Sequence, residues 1–201
     1  DYSVIVKTAL RAVRALGRHA APHLPVMAMS LSFLEKEHAT EMKTLLTDLG
    51  DAAAPYTGDV ARLLHGDLHD DDDDNEEEEK EKEKMKKKEK KLIGSRQVIA
   101  ALEALGAMSR VAATPHSAAV LDLLDDARVT VRVAAVKTLA QFSHHGKSNR
   151  DKENSPRHVE RLTRALLEDE AVEVRLEVLE CLSKFGVPAL DARDAVCAVL
   201  E

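Results

Sequence analysis

The sequence predicts an all-α fold, a right-handed α-solenoid in which about ten helices form stacked antiparallel pairs. Two observations predict it. First, Asp126–Phe142 and Asp169–Phe185 share one pattern: an aspartate, an arginine six residues later, and then an amphipathic helix. Second, prolines return at intervals of 32, 33 and 41 residues, and a period of this size is typical of a repeated helix pair. The sequence shows no sustained alternation of apolar and polar residues that would indicate strands.

The two copies of this pattern keep the same apolar positions. Counted from the arginine, apolar residues follow at four, seven and ten places. These residues are Val136, Leu139 and Phe142 in the first copy, and Leu179, Leu182 and Phe185 in the second. Because steps of three and four keep side chains on one face of a helix, each copy is predicted to bury this face.

Glycines mark the ends of helices with the same apolar face. Gly17, Gly50 and Gly106 each follow such a helix, and glycine suits a helix C-terminus because it adopts the left-handed conformation there without strain. Amphipathic segments led by proline alternate with these helices. The glycine-ended helices and the two copies above are predicted to line one groove, formed by residues 4–16, 39–49, 95–105, 131–142 and 174–185.

A proline-led helix, an aspartate and then Val-Arg at the start of a second helix resemble the HEAT-repeat family. The junctions from Leu16 to Pro22 and from Leu49 to Pro55 are similar to the short HEAT repeats of the bilin-lyase type. The resemblance implies a structural ladder in which aspartates and arginines of successive repeats pin neighbouring turns. The ladder residues that it implies are Asp126, Arg132, Asp169 and Arg175, whereas Ala39 and Ser95 stand at the arginine place upstream.

A charged stretch, residues 70–91, interrupts the repeats. It carries twelve acidic and eight basic side chains, and such a composition has too little apolar surface to fold, which predicts a disordered insert. Two alternatives stay open. The stretch could be a transiently helical arm, since Glu83 and Lys87 form a Glu-to-Lys pair four residues apart, or a docking tail for charged partners, which salt would screen.

The domain organisation follows from this interruption. Residues 1–69 are predicted to form N-terminal HEAT-like repeats, and residues 92–201 are predicted to form C-terminal HEAT repeats that continue the same solenoid. A second, shorter polar loop is predicted at residues 143–155. It contains Lys152-Glu153-Asn154, which is similar to a KEN-type degradation signal.

No catalytic, cofactor or metal site is predicted, and the chain is expected not to be an enzyme. His19 and His23, like His65 and His69, are four residues apart, a spacing with which one helical face can offer two metal ligands. A proline interrupts the first pair and a glycine the second, so neither pair lies on an unbroken helix. The scattered glycines do not form a phosphate-binding loop.

The predicted partner is another protein, bound on the groove that the first type of helix lines. Polar residues at exposed positions of these helices are the predicted interaction face: Arg11, Arg14, Asp48, Glu103, Lys137, Gln141, Glu180 and Lys184. Their mixed signs and the net charge of -7 argue against nucleic acid, which needs a basic face. Two alternatives stay open: an enzyme or chaperone of the bilin-lyase type that acts on a chromophore protein, and a nucleic-acid-binding HEAT protein.

The cytoplasm or the nucleus is the expected compartment. The sequence contains neither a secretory signal nor a membrane-spanning stretch, and Cys181 and Cys197 lack the CxxC spacing and are interpreted as reduced helix residues. The chain starts at Asp1 without a methionine, and its last helix lacks the polar outer face that caps a solenoid. It is therefore expected to be a piece of a longer repeat protein.

Overall fold

The computed structural model describes residues 2–65, 80–108, 114–143, 149–185 and 192–198, and every regular element in these ranges is helical. The α-helices are α1 (Tyr2–Leu16), α2 (Leu24–Ser30), α3 (Lys36–Leu49), α4 (Thr57–Arg62), α5 (Lys80–Ala107), α6 (Ser117–Asp122), α7 (Val129–Ser143), α8 (Asn149–Glu168), α9 (Val172–Phe185) and α10 (Arg193–Ala198). Short 3-10 helices cover Gly17–His23, Gly50–Tyr56, Leu63–His65, Thr114–His116 and Leu123–Asp125. The predicted α-solenoid is confirmed. The predicted count of about ten helices was too high, because four of the segments above have only six or seven residues and only six have 14 residues or more.

Two rows of helices build the solenoid. The first row consists of α1, α3, α5, α7 and α9, and each of these packs against the next one. The second row consists of the short helices α2, α4 and α6 with their 3-10 extensions, followed by α8 and α10; here α2 packs on α4, and α8 packs on α10. Each of the five sequence ranges predicted to line a groove lies inside one first-row helix.

The core lies between the two rows and is built from leucine, valine and alanine. Each first-row helix buries at least one leucine: Leu10, Leu46, Leu105, Leu139 and Leu182 are all at most 4% exposed. In the middle of the row, Ala100, Ala101 and Ala104 of α5 are also buried. Small side chains let α5 approach its neighbours closely, and the hydroxyl of the buried Thr138 on α7 donates a hydrogen bond of 3.1 Å to the Leu102 carbonyl of α5.

The glycines at the ends of α1 and α3 behave as predicted. Gly17 and Gly50 have φ angles of 53° and 54°, in the region that favours glycine. The prediction was wrong for Gly106, which lies inside α5 and not beyond its end. A Cβ at this position would collide with the side-chain amide of Gln141 on α7. Because this contact is with the far end of a flexible side chain, the position does not require glycine, and the helix continues to Ala107.

Alanine substitutions at Gly50 and Gly106 should have different effects on stability. We expect Gly50→Ala to lower the free energy of unfolding by about 1–2 kcal/mol, because alanine is strained at a positive φ. We expect Gly106→Ala to leave it unchanged or to raise it by up to about 1 kcal/mol, because alanine is the better helix former and the exposed Gln141 side chain can turn away. Urea denaturation followed by circular dichroism measures both changes. A larger loss for Gly106→Ala than for Gly50→Ala would contradict this account.

Part of the charged stretch does not match the predicted disorder. Residues 80–91 belong to α5, whereas residues 70–79 lie outside the described part of the chain. The physical reason is that residues 80–91 contain neither proline nor glycine, consist mainly of the good helix formers Lys and Glu, and lead directly into the buried half of α5. The helical alternative was therefore the better prediction for these twelve residues.

The loop predicted at residues 143–155 is also shorter than expected. Helix α8 begins at Asn149 and contains Pro156 in its interior, so Lys152-Glu153-Asn154 is helical. Proline removes one main-chain hydrogen bond of a helix and favours a kink. Helix α8 nevertheless continues through Pro156. Residues 144–148 lie outside the described residues.

None of the helices described is long and apolar enough to cross a membrane.

Candidate interaction surface

Arg132 on α7 joins one repeat to the next. Its Nε and Nη2 atoms donate hydrogen bonds of 2.8 Å to the two carboxylate oxygens of Asp169, at the turn before α9. Its Nη1 donates a third bond of 2.8 Å to the main-chain carbonyl of Asp126, in its own repeat. Such a bidentate pair is both strong and specific in geometry. The two side chains are only 14% and 7% exposed, so this contact fixes how α7 and α9 stack.

Asp169 and Asp126 shape their own turns in the same way. The main-chain N–H groups of Ala171 and Arg128 donate bonds of 2.8 Å to the carboxylates of Asp169 and Asp126. Arg175 repeats the bond of Arg132 to its own turn, since its Nη1 donates to the Asp169 carbonyl at 3.0 Å. The aspartate caps the start of the helix, and the arginine six residues later holds the turn from the other side.

The repeat before α7 lacks a ladder arginine, because Ser95 stands at that place in α5. The side chain of Asp126 is bound instead by Arg128 of its own turn, whose Nε and Nη2 lie 2.8 Å and 2.7 Å from the carboxylate oxygens. The Nη1 of Arg128 also donates a bond of 3.3 Å to the Ser95 hydroxyl. Arg128 thus takes over the bridge to α5 from the opposite direction. The sequence distinguishes this arginine, because the residue two places after the aspartate is Arg128 in this repeat and Ala171 in the next one.

The pKa values of both aspartates are lowered. For Asp126 the main cause is the side-chain hydrogen bond from Arg128, which outweighs the opposing effect of burial. For Asp169 burial by itself raises the pKa, but the bonds from Arg132 and from the N–H of Ala171, together with the positive charges nearby, outweigh it. Both carboxylates are therefore ionised at neutral pH, and their bonds to arginine are charge-assisted.

A second arginine contact, which sequence analysis did not single out, joins the second row. Arg161 of α8 donates through Nη2 to the Leu121 carbonyl at 3.1 Å and to Asp125 at 2.7 Å. Arg164, one turn further, reaches the same carboxylate at 3.1 Å. A polar cleft of about 370 Å³ lies between the turn after α6 and the turn after α8, and its lining includes Asp125, Asp126, Arg132, Arg161, Arg164 and Asp169.

The predicted interaction face divides into residues that join helices and residues that remain exposed. Three ion pairs connect neighbouring first-row helices: Arg14 with Glu41 at 3.7 Å, Lys43 with Glu103 at 2.9 Å, and Lys137 with Glu177 at 3.4 Å. Arg14, Glu103 and Lys137 therefore take part in helix stacking. At surface positions each such pair contributes at most about 1 kcal/mol. The predicted face residues that remain exposed with no ion pair in the described part of the chain are Arg11, Asp48, Gln141, Glu180 and Lys184.

The first row also carries exposed apolar side chains that the sequence analysis did not name. Val129 and Val133 on α7, and Val172 and Leu176 on α9, stand at equivalent places, three residues before and one residue after the ladder arginine. Val172 and Leu176 are 53% and 58% exposed. Steps of four continue this spacing to Lys137 and Gln141 on α7, and to Glu180 and Lys184 on α9. We call the exposed Val129, Val172 and Leu176, together with the half-buried Val133 that also packs against the core, the apolar strip.

Among the histidines with described side chains, His38 and His158 are buried, whereas His19 and His23 are exposed. The residues described contain no group of three or more His, Cys, Asp and Glu side chains that could hold a metal ion. The Nε2 of His116 lies 2.9 Å from the hydroxyl oxygen of Thr57, and that hydroxyl donates to the Ala54 carbonyl. The ring therefore donates through Nε2–H. This bond joins the second-row segments on either side of the charged stretch.

Mild acid should loosen these histidine contacts. Burial lowers the pKa of His116, and burial, aided by Arg157, lowers the pKa of His158. A depressed folded-state pKa means that stability is complete above the unfolded pKa of about 6.5 and is lost as the pH falls from there towards the folded pKa. We expect the Tm to fall in this window, and to fall less steeply in His158→Gln. An identical pH dependence of both proteins would contradict it.

The two thiols should react very differently. Cys181 is buried on α9, and its burial raises the pKa to about 12, whereas Cys197 on α10 is exposed. Because the thiolate is the reactive form, we expect iodoacetamide to alkylate only Cys197 in the native chain and both cysteines in denaturant. Mass spectrometry of tryptic peptides distinguishes the two sites. Rapid native alkylation of Cys181 would show that α9 opens.

Comparison with known proteins matches the C-terminal part of the chain to a family of repeats. Residues 117–201 match the family model of HEAT repeats, and these residues hold helices α6 to α10 with the Arg132–Asp169 contact. Comparisons with curated proteins and with solved structures gave no match. The similarity to bilin-lyase-type repeats, predicted for residues 16–22 and 49–55, lies outside the matched residues and stays a prediction. Residues 117–201 are therefore similar to HEAT repeats.

Proposed function

We propose that this chain is a non-catalytic protein-interaction or scaffold module that binds its partner on the first row of helices. HEAT repeats in general mediate protein interaction or scaffolding. The observation that carries the proposal is that the polar side chains of the first row fall into two groups with different surroundings. The buried ones, such as Arg132 and Asp169, join repeats, while Glu180 and Lys184 project from the same helices into solvent. A rigid row with an exposed, chemically mixed surface suits recognition of another protein.

The mixed signs of this face favour a protein over nucleic acid. Arg11 and Lys184 are basic, and Asp48 and Glu180 are acidic, so the exposed residues do not form the continuous basic surface that phosphates require. On a protein partner, charges of both signs set specificity and the rate of association. The ion pairs between first-row helices keep the spacing of these charges constant.

Affinity capture tests the proposal. The immobilised chain is used as bait in an extract of its source cells, next to a variant with Glu180→Lys and Lys184→Glu, which reverses both charges of one helix. The control is Glu160→Lys, on an exposed position of α8 in the second row. We expect the reversed variant to lose proteins that the wild type and the control retain. Equal capture by all three chains would contradict binding at the first row.

A further inference from the structure

The apolar strip is a contiguous surface on two packed helices. Exposed single apolar residues are ordinary, but Val172 and Leu176 are four residues apart on one face of α9, and Val129 and Val133 repeat that spacing on α7. Helices α7 and α9 are in direct contact, and Lys137 pairs with Glu177 just beyond the strip. Apolar side chains that share one face of adjoining helices form a patch of the kind that partners cover.

Of the described residues beside this patch, unpaired carboxylates outnumber unpaired cations, although Lys184 is exposed one turn beyond Glu180. Glu170, Glu173 and Glu180 are exposed on or just before α9, and within the described residues none of them lies in an ion pair. Glu177, by contrast, is held by Lys137. Exposed carboxylates beside an apolar patch attract a partner that combines apolar and positively charged side chains.

The polar cleft extends this acidic rim to the patch. Its lining includes Ala127 and Glu170, each two residues before an apolar-strip valine, Val129 or Val172. The cleft arginines already have acceptors, since Arg132 binds Asp169, and Arg161 and Arg164 bind Asp125. Glu170 keeps its charge available, and Glu168 has only a 3.9 Å contact to Arg164. A cation at the mouth of the cleft would meet these two carboxylates.

The geometry points to a basic amphipathic helix of a partner protein as the occupant of the apolar strip. Two of its apolar side chains, three or four residues apart, would lie against Val172, Leu176 and the two α7 valines, as in other complexes that seat a helix in an apolar groove. Its Lys or Arg side chains would lie near Glu170, Glu173 and Glu180. This inference rests on the proposed function, because it names the partner chemistry for the same row of helices. The acidic rim disfavours an acidic helix, and the net charge of -7 disfavours a second copy of the chain.

Synthetic peptides test this chemistry directly. The first probe is a fluorescein-labelled helix of leucine and lysine with leucines three and four residues apart. The second has the same composition with the leucines scattered, and the third replaces each lysine by glutamate. Fluorescence anisotropy with the full chain should show that the first probe binds at least about tenfold more tightly than the other two, which corresponds to the loss of one well-seated anchor. Its binding should weaken with added salt.

Matched variants connect binding to the strip. We expect Leu176→Gln to weaken binding of the first probe about tenfold, and Leu16→Gln, at the 50% exposed Leu16 of α1, to leave it unchanged. Val172→Thr should weaken binding, and Val26→Thr, at a 68% exposed position of α2, should not. Glu173→Lys should weaken it, and Glu160→Lys should not. Unchanged circular dichroism melts of each pair ensure that the differences report on binding.

The possible outcomes separate the two proposals. Equal binding of the basic and acidic probes, or equal effects of Leu176→Gln and Leu16→Gln, would overturn the basic helix as the occupant. If captured proteins still depend on Glu180 and Lys184 in that case, the first row remains the binding surface. A concentration-dependent dimer that Leu176→Gln dissolves would instead make a second copy the occupant. Loss of both peptide binding and charge-dependent capture would overturn the proposed function as well.

Discussion

Replacing Asp169 by alanine is expected to lower the free energy of unfolding by about 2–3 kcal/mol, because the part-buried guanidinium of Arg132 loses its charge-assisted hydrogen bonds and its counter-charge. Two hydrogen bonds of 2.8 Å are lost at once, and so is the cap that Asp169 provides to the N–H of Ala171. Urea denaturation gives the change. The control is Lys137→Met, which removes an ion pair whose lysine is 58% exposed and should change stability by less than about 1 kcal/mol.

A double variant refines this expectation. Arg132→Met combined with Asp169→Leu removes both charges and replaces them with apolar groups. We expect it to be clearly more stable than Asp169→Ala, because no buried charge is left unpaired. Similar losses in the single and the double variant would show that Asp169 acts mainly as a cap of α9 and that the bridge between repeats contributes little.

The same carboxylate should make stability depend on acid pH. The folded-state pKa of Asp169 lies below its ordinary value, because the bonds from Arg132 and Ala171 outweigh the effect of burial. Its contribution is therefore complete above the unfolded pKa of about 4 and is lost as the pH falls below it. We expect the Tm of the wild type to drop steeply below about pH 4, and Asp169→Asn to show a shallower drop. This pH window, below about 4, is well separated from the pH window of His116 and His158, which begins at about 6.5.

Replacing Leu139 by alanine is expected to lower the free energy of unfolding by about 2–5 kcal/mol. Leu139 is fully buried on α7, the helix that packs against both α5 and α9, so the cavity lies where three first-row helices meet. Close packing leaves little room for the neighbours to relax. The midpoint of urea denaturation should therefore fall without a change in slope.

Leu176→Ala on the neighbouring helix is the matched control for this change. Leu176 is 58% exposed, and a surface substitution of this kind should change stability by no more than about 0.5 kcal/mol. The pair compares the same substitution inside and outside the core. If both variants lost several kcal/mol, Leu176 would have to be covered in solution, by a partner or by a second copy of the chain.

The features predicted correctly depend on residues close together in the chain. The glycine ends of α1 and α3 and the first-row helices follow from patterns that span one or two helical turns. The aspartate six residues before an arginine is a similarly local pattern, and the structure uses it to cap a turn at Asp126 and again at Asp169. Local patterns of this kind can be recognised in the sequence, because the main-chain conformation of a residue depends mainly on its near neighbours.

The features predicted wrongly depend on neighbours that are remote in sequence. Gly106 has the same local surroundings as Gly50, but Gln141 on α7 occupies the space beside it. The ion pairs of Lys137 and Glu103 with adjacent helices likewise depend on remote neighbours, while the interaction face itself stays a prediction. Pro156 and the charged start of α5 were interpreted as interruptions of helical structure. General preferences of proline and of charged residues do not take into account the helix that follows them in the chain.

By itself the sequence determined the alternation of two helix types, their stacking as a solenoid and the positions of the aspartates and arginines, since all of these follow from periodicity along one chain. Only the tertiary structure decided which charges pair, that Arg128 stands in for the arginine missing at Ser95, and that apolar side chains of α7 and α9 form one exposed strip. Such contacts depend on the register between helices whose residues are tens of positions apart. That register is set by packing and is not encoded in any single helix.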